Sequence, residues 1–132
     1  MKISIITVCY NSQKTIKDTI ESVINQSYSN IEYIIIDGAS NDSTLKIINQ
    51  FKSHIDVFIS EKDHGIYDAI NKGILKASGE IIGLLHADDI FDNHHVIENV
   101  AESFDLNKEI LYGDITYAVS YTHLRAHETD RH

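Results

Sequence analysis

The sequence predicts an α/β domain built on an open, mostly parallel sheet with helices on both faces. Short runs rich in isoleucine and valine alternate with stretches whose apolar residues recur at helical spacing, the pattern of parallel strands joined by crossover helices. The strand-like runs are continuously apolar rather than alternating, as expected where helices cover both sheet faces. Polar and acidic residues gather just after these runs, at the edge where an open parallel sheet binds its ligands. The chain contains no proline, no internal repeat and no low-complexity linker.

The first strand is expected over residues 3–8, and a helix follows from about residue 15 with Ile16, Ile20, Val23 and Ile24 on one face. A second strand over 31–36 runs into Asp37 and Gly38. The second helix, 41–51, offers Leu45, Ile47, Ile48 and Phe51 to the core, and Asn41, Asp42 and Ser43 are its capping candidates. A third strand is expected over 56–60 and a third helix over about 67–77. Ser78 and Gly79 form the turn into a fourth strand, 80–85. A fourth helix over about 94–104 precedes a further strand beginning at 110–112.

With 132 residues and 42% hydrophobic composition, the chain is sized for one domain with a real core. No apolar run approaches the ~20 residues that span a bilayer. Met1 and Lys2 lead straight into a strand without a small-residue cleavage site, which argues against a signal peptide. The single cysteine, Cys9, fits a reducing compartment. It reads either as a small buried residue or as a nucleophile, and no base is placed beside it by sequence. The net charge of −9 argues against nucleic-acid backbone binding. It also disfavours anionic phosphates, unless a divalent cation inverts the local electrostatics.

Composition breaks near the C-terminus. Every basic residue before position 119 is lysine, whereas both arginines, Arg125 and Arg131, and three of the eight histidines fall in 119–132. His123 and His127 have the spacing of ligands on one helix face. The break favours a non-native or disordered tail instead, leaving residues 1–118 as the folded part.

Each strand end carries polar residues: Tyr10 and Asn11 after the first, Asp37 to Ser40 after the second, Glu61 to Gly65 after the third, and His86 to Asp89 after the fourth. Any one is ordinary; four on one edge suggest a single cleft. Asp37 reads as a helix or turn cap, or as an acceptor for a base or ribose. The Glu61 to Gly65 segment reads as solvated loop charge or as a flexible loop over a ligand. Lys72 could reach a phosphate or lie exposed, and surface placement is expected for His94 and His95. Asp88 and Asp89 are the sharpest signal. Adjacent carboxylates at a strand mouth repel, so water, a donor or a cation must satisfy them. Carboxylate oxygens are hard ligands suited to Mg²⁺ or Mn²⁺, with phosphate oxygens completing the shell.

Three blocks, IIIDGASNDST at 34–44, SEKDHGIYDAINKG at 60–73 and GEIIGLLHADD at 79–89, together with IITVCYN at 5–11, resemble glycosyltransferase family 2 over about residues 1–118. The resemblance implies the GT-A architecture, a Rossmann-like variant of the fold expected above, and residues 1–118 would be its nucleotide-sugar-binding part. Carried over by position, it implies that Asp37 contacts the nucleotide base, that Tyr10 and Asn11 line the same pocket, and that Asp63 lies in the donor-side loop. Asp88 would face the ribose or diphosphate, and Asp89 would ligate Mn²⁺ or Mg²⁺. Three positions depart from the family pattern. Ala39 stands where glycine is common, a sterically mild change. His86 stands where asparagine is common, and Ile70 replaces a phosphate-facing arginine, which implies that the metal handles most of the diphosphate charge.

The resemblance further implies sugar transfer from a nucleotide diphosphate donor to a hydroxyl of a glycan or lipid-linked acceptor, with inversion. It places the protein in the cytoplasm or peripheral to the inner face of the membrane. Nothing after Asp114 matches the acceptor half of such enzymes, so a truncated domain with donor binding and little transfer is expected. Asp114 is not given the role of general base, and the catalytic residue stays unassigned. Two other classes compete. One is a nucleotide-binding module without independent catalysis. The other is a receiver-like signalling domain, which needs a lysine after a later strand, whereas Lys108 precedes the fifth.

Overall fold

The computed structural model describes residues 1–105 and 118–120. The elements along the chain are β1 (Ile3–Cys9), α1 (Ile16–Ile24), β2 (Ile31–Asp37), α2 (Thr44–Gln50), β3 (Val57–Ser60), α3 (Ile66–Lys76), β4 (Ile81–Leu84), α4 (Val96–Asp105) and β5 (Ala118–Ser120). A single 3-10 turn, Lys52–His54, separates α2 from β3. The sheet order is β3-β2-β1-β4-β5. The first four strands are mutually parallel, and β5 is antiparallel to β4. The mostly parallel α/β sheet expected from the sequence is therefore present. The strand expected at 110–112 lies outside the described residues, as do Asp114 and residues 121–132. β5 straddles the composition break at 118/119.

Alternation along each strand divides the core into two layers. Ile3, Ile5 and Cys9 of β1, with Tyr33 and Ile35 of β2, face Ile16, Ile20 and Val23 of α1, Ile48 of α2, and Ile97, Val100 and Ala101 of α4. The intervening Ile6, Val8, Ile34, Ile36 and Ile82 face Ala69 of α3, with Ile70 and Ile74 packed at its margin. Helices thus cover both faces of β1, β2 and β4, which explains their continuous apolar runs. Each isoleucine so buried stabilises the fold by roughly 1.5–3 kcal/mol. β3 is one edge of the described sheet, and its residues alternate between half-buried and exposed. Gly73 sets how closely α3 sits on β1, because a Cβ there would lie 2.5 Å from Ile6 Cγ2. Among the described residues, no helix is long and apolar enough to cross a membrane.

Ala39 is not the mild departure expected from sequence. Its φ is 66°, in the left-handed region where a Cβ costs roughly 1–2 kcal/mol. Its side chain is exposed and offsets little of that strain. Ala39→Gly is expected to stabilise the protein by about 0.5–1 kcal/mol in urea unfolding, after allowing for the greater freedom of glycine in the unfolded chain. An unchanged or lower midpoint would show that the turn accommodates the methyl group without strain.

Candidate active site

An open cleft of about 1010 Å³ lies at the C-terminal edge of β1 and β4. The parallel register that pairs Cys9 with Asp37 ends β1 and β2 at the same level. β4 stops at Leu84, yet its chain keeps bonding along β1: Leu85 N–H donates to the Ile6 carbonyl (2.9 Å) and Ala87 N–H to the Val8 carbonyl (3.2 Å). This delivers Asp88 and Asp89 into the cleft wall. Thr19, fully buried on α1, fixes the turn from behind. Its hydroxyl lies 2.8 Å from the Ala87 carbonyl oxygen and 2.7 Å from that of Asp89.

The loops after β1 and β2 are laced together by reciprocal hydrogen bonds. Asn11 N–H donates to Ser40 Oγ (2.8 Å), and Asn41 N–H donates to Asn11 Oδ1 (2.9 Å). Ser12 N–H donates to Thr44 Oγ1 (2.8 Å), and Ser43 N–H donates to Gln13 Oε1 (3.1 Å). Asp42 accepts from Thr44 N–H (2.9 Å) and Gln13 N–H (3.3 Å). Its carboxyl lies below the usual carboxylate range, because these bonds outweigh the opposing effect of desolvation. The 41–43 segment is thus helix-start chemistry, supplied by Asp42. Asn11 has φ 47°, which asparagine tolerates better than most residues.

Five of the six residues singled out from the sequence line this cleft: Tyr10, Asn11, Asp63, Asp88 and Asp89. Among these, Tyr10 is 59% exposed. Asp37 is the exception. It is fully buried and absent from the lining. Its Oδ1 accepts from Ser40 Oγ (2.5 Å) and Cys9 Sγ (3.3 Å), and its Oδ2 accepts from Ser40 N–H and Ser60 Oγ, both at 2.8 Å. The carboxylate therefore ties the ends of β1, β2 and β3 together beneath the cleft. Cys9 is a buried thiol, and burial together with the neighbouring Asp37 charge pushes its pKa up, so it is not an activated nucleophile.

Lys72 is not part of the lining; it is held by Glu61 and Asp68. Ile70 packs with the α3-side core. His86 does line the cleft. His94 and His95 lie exposed near Asn25 and Ser27, as expected. Lys14 and Thr15, beyond the Tyr10–Asn11 strand end, complete the wall before α1. Thr19 has a sequence signal only as a polar residue beside the apolar stripe of α1.

The lining suits a cation. Asp42, Asp63, Asp88 and Asp89 face one lysine, Lys14, among the described lining residues. Asp42 accepts one backbone N–H on each oxygen, whereas Asp88 and Asp89 have no side-chain partner among the described residues. No group of three or more metal-ligating side chains gathers among the described residues. A carboxylate pair of this kind fits Mg²⁺ or Mn²⁺, which keep several waters and take phosphate oxygens to complete the shell.

The model for Glycosyl transferase family 2 matches residues 4–131. The chain belongs to glycosyltransferase family 2. Over 102 residues it is 35% identical to an uncharacterized glycosyltransferase of Mycobacterium tuberculosis, covering 76% of this chain and 39% of the relative. It is 40% identical over 93 residues to the poly-beta-1,6-N-acetyl-D-glucosamine synthase of Staphylococcus epidermidis, covering 69% of this chain and 23% of that protein. The chain therefore spans well under half the length of these family 2 relatives. Among solved structures, S. aureus TarS 1–349 in complex with UDP-GlcNAc superposes with a TM-score of 0.75 at 25% identity, covering 80% of this chain and 32% of that 1–349 chain. A mannosyltransferase from Pyrobaculum calidifontis, in complex with GDP-Man and Mn²⁺, shares the fold with a TM-score of 0.71 at 21% identity, over 76% of this chain and 31% of that one. The observed sheet is thus the GT-A sheet of family 2 enzymes.

Proposed function

We propose that this chain forms the donor half of a glycosyltransferase that moves a sugar from a nucleotide diphosphate to a hydroxyl group of a glycan or lipid-linked acceptor. The observation that carries the reading is the convergence of Tyr10, Asp63, Asp88 and Asp89 on one cleft in a family 2 chain. Residues 1–118 are assigned to donor binding. Tyr10 offers an aromatic face for the nucleotide base, and Asp63 and Asp88 offer acceptors for base or ribose hydroxyls. Asp37 supports that end of the cleft indirectly, by holding Ser40 and Ser60. Lys14 is placed to pair with phosphate oxygens that enter the same cleft.

Asp89 would hold a divalent cation, which supplies positive charge against the departing diphosphate, with Asp88 beside it on the ribose or diphosphate. In the transfer itself, the acceptor oxygen bonds to the anomeric carbon as the bond from that carbon to the diphosphate oxygen breaks. The acceptor proton passes to a base, and in-line attack gives inversion. The role of the protein residues is to fix the donor with its anomeric carbon open to the acceptor side.

Calorimetric titration of the chain with UDP and with GDP, each with and without Mn²⁺, tests the donor assignment. Binding strengthened by the metal is expected for at least one nucleotide, and no binding under any of these conditions would sink it. Incubation with UDP-GlcNAc and a hydroxyl acceptor then separates an active transferase from a module that binds nucleotide without independent catalysis. Little transfer is expected, because the chain spans only 23–39% of the two relatives.

A further inference from the structure

We propose that Lys72 is a positioning residue for the donor site, clamping the 61–65 loop onto α3 so that the Asp63 carboxylate stays seated over Gly38 in the cleft wall. The proposal rests on the donor-binding reading above. Lys72 lies outside the cleft lining and acts through the loop it holds. Its side chain is only 21% exposed, and its Nζ stands 3.4 Å from a Glu61 carboxylate oxygen and 3.6 Å from one of Asp68. The same ammonium donates to the Lys62 carbonyl at 3.3 Å. Asp68 in turn accepts the His64 N–H at 3.0 Å. One cation therefore gathers the start of the loop, its second carbonyl and the helix that follows it.

The segment held this way carries Asp63. Its Oδ1 accepts from Gly65 N–H at 3.2 Å, and its Oδ2 lies 2.9 Å from where a Cβ on residue 38 would sit. The carboxylate occupies that place because residue 38 is glycine. Gly38 is fixed by its own N–H to the Cys9 carbonyl (2.9 Å), and the loop begins with Glu61 N–H on the Asp37 carbonyl (3.0 Å). The sheet thus anchors the beginning of the loop, α3 anchors its end, and Lys72 spans the two. Isolated exposed ion pairs contribute little to stability. A cation shared by three acceptors instead limits the freedom of the loop, and ordering a binding loop before the ligand arrives strengthens affinity.

The test compares Lys72→Met and Lys72→Arg with the parent chain by UDP calorimetry in Mn²⁺, by melting temperature and by amide hydrogen exchange at His64 and Gly65. Lys72→Met is expected to weaken UDP binding about fivefold and to speed exchange at both amides, with little change in melting temperature. Lys72→Arg should restore affinity to within about twofold, because it keeps the charge and the donors. Gly38→Ala, which displaces Asp63 directly, should weaken binding in the same way, with no further loss when combined with Lys72→Met. Unchanged exchange and unchanged affinity in Lys72→Met overturn the clamp. Faster exchange in a chain whose parent binds no nucleotide overturns the donor reading, and with it the function assigned to the clamp, while leaving the contact itself demonstrated.

Discussion

Asp89→Ala is expected to lower Mn²⁺-dependent UDP or GDP affinity about 100-fold, the equivalent of roughly 3 kcal/mol, while leaving the ligand-free protein as stable as the parent. The two halves of this expectation have different origins. Asp88 and Asp89 sit beside each other in the cleft wall without a side-chain partner among the described residues, so no internal contact is lost when one is removed. Removing one of two adjacent like charges relieves repulsion, and the melting temperature of the ligand-free chain should hold steady or rise slightly. Binding responds in the opposite direction, because a divalent cation that loses its carboxylate ligand is held far less well beside a diphosphate. Calorimetry in Mn²⁺ and again in EDTA separates the effects: the parent should lose affinity in EDTA, and Asp89→Ala should change little. A variant that binds as tightly as the parent in Mn²⁺ would remove Asp89 from the metal site.

Asp37→Ala should produce the largest loss of stability, about 3 kcal/mol, lowering the melting temperature by roughly 10–20 °C. The carboxylate is fully buried and accepts from the backbone and hydroxyl of Ser40, the hydroxyl of Ser60 and the thiol of Cys9. Truncation leaves these donors facing a dry void in which solvent cannot replace the lost acceptor. Asp37→Asn keeps the volume, and hydroxyl donors can turn to meet an amide, so it should retain most of the stability. Nucleotide affinity should fall in the alanine variant as well, because Ser40 also receives Asn11 N–H and joins the two cleft loops. An alanine variant that melts within about 2 °C of the parent would show that the loops are held without Asp37.

Asp37 and Asp89 also mark how far the sequence could be read. Both are acidic residues after apolar strands, and by sequence both qualified as ligand contacts. Strand pattern alone does not say whether a carboxylate at a strand end turns outward to the cleft or inward beneath the next loop. Asp37 turns inward because Ser40 and Ser60 supply donors from two different strand ends, a convergence that exists only once β2 and β3 are paired. Asp89 stays in the lining because the chain beyond β4 keeps bonding to β1 and is backed by Thr19. Ala39 was legible only as a replacement for a common glycine, since its strain resides in a backbone angle that composition does not reveal. Lys72 was legible only as a helix lysine that either reaches a phosphate or lies exposed, and its pairing with Glu61 and Asp68 had no local signal.

The order of strands and helices, the two-sided burial of β1, β2 and β4, and the edge that carries the polar residues were all determined by local pattern: apolar runs, helical spacing and strand-end chemistry are properties of neighbours along the chain. Tertiary structure alone decided which polar residues share a cleft, which is sealed below it, and which hold it from behind. Those outcomes depend on contacts between residues far apart in sequence, such as Thr19 with Asp89 and Lys72 with Glu61, and such distances are set only when the elements pack.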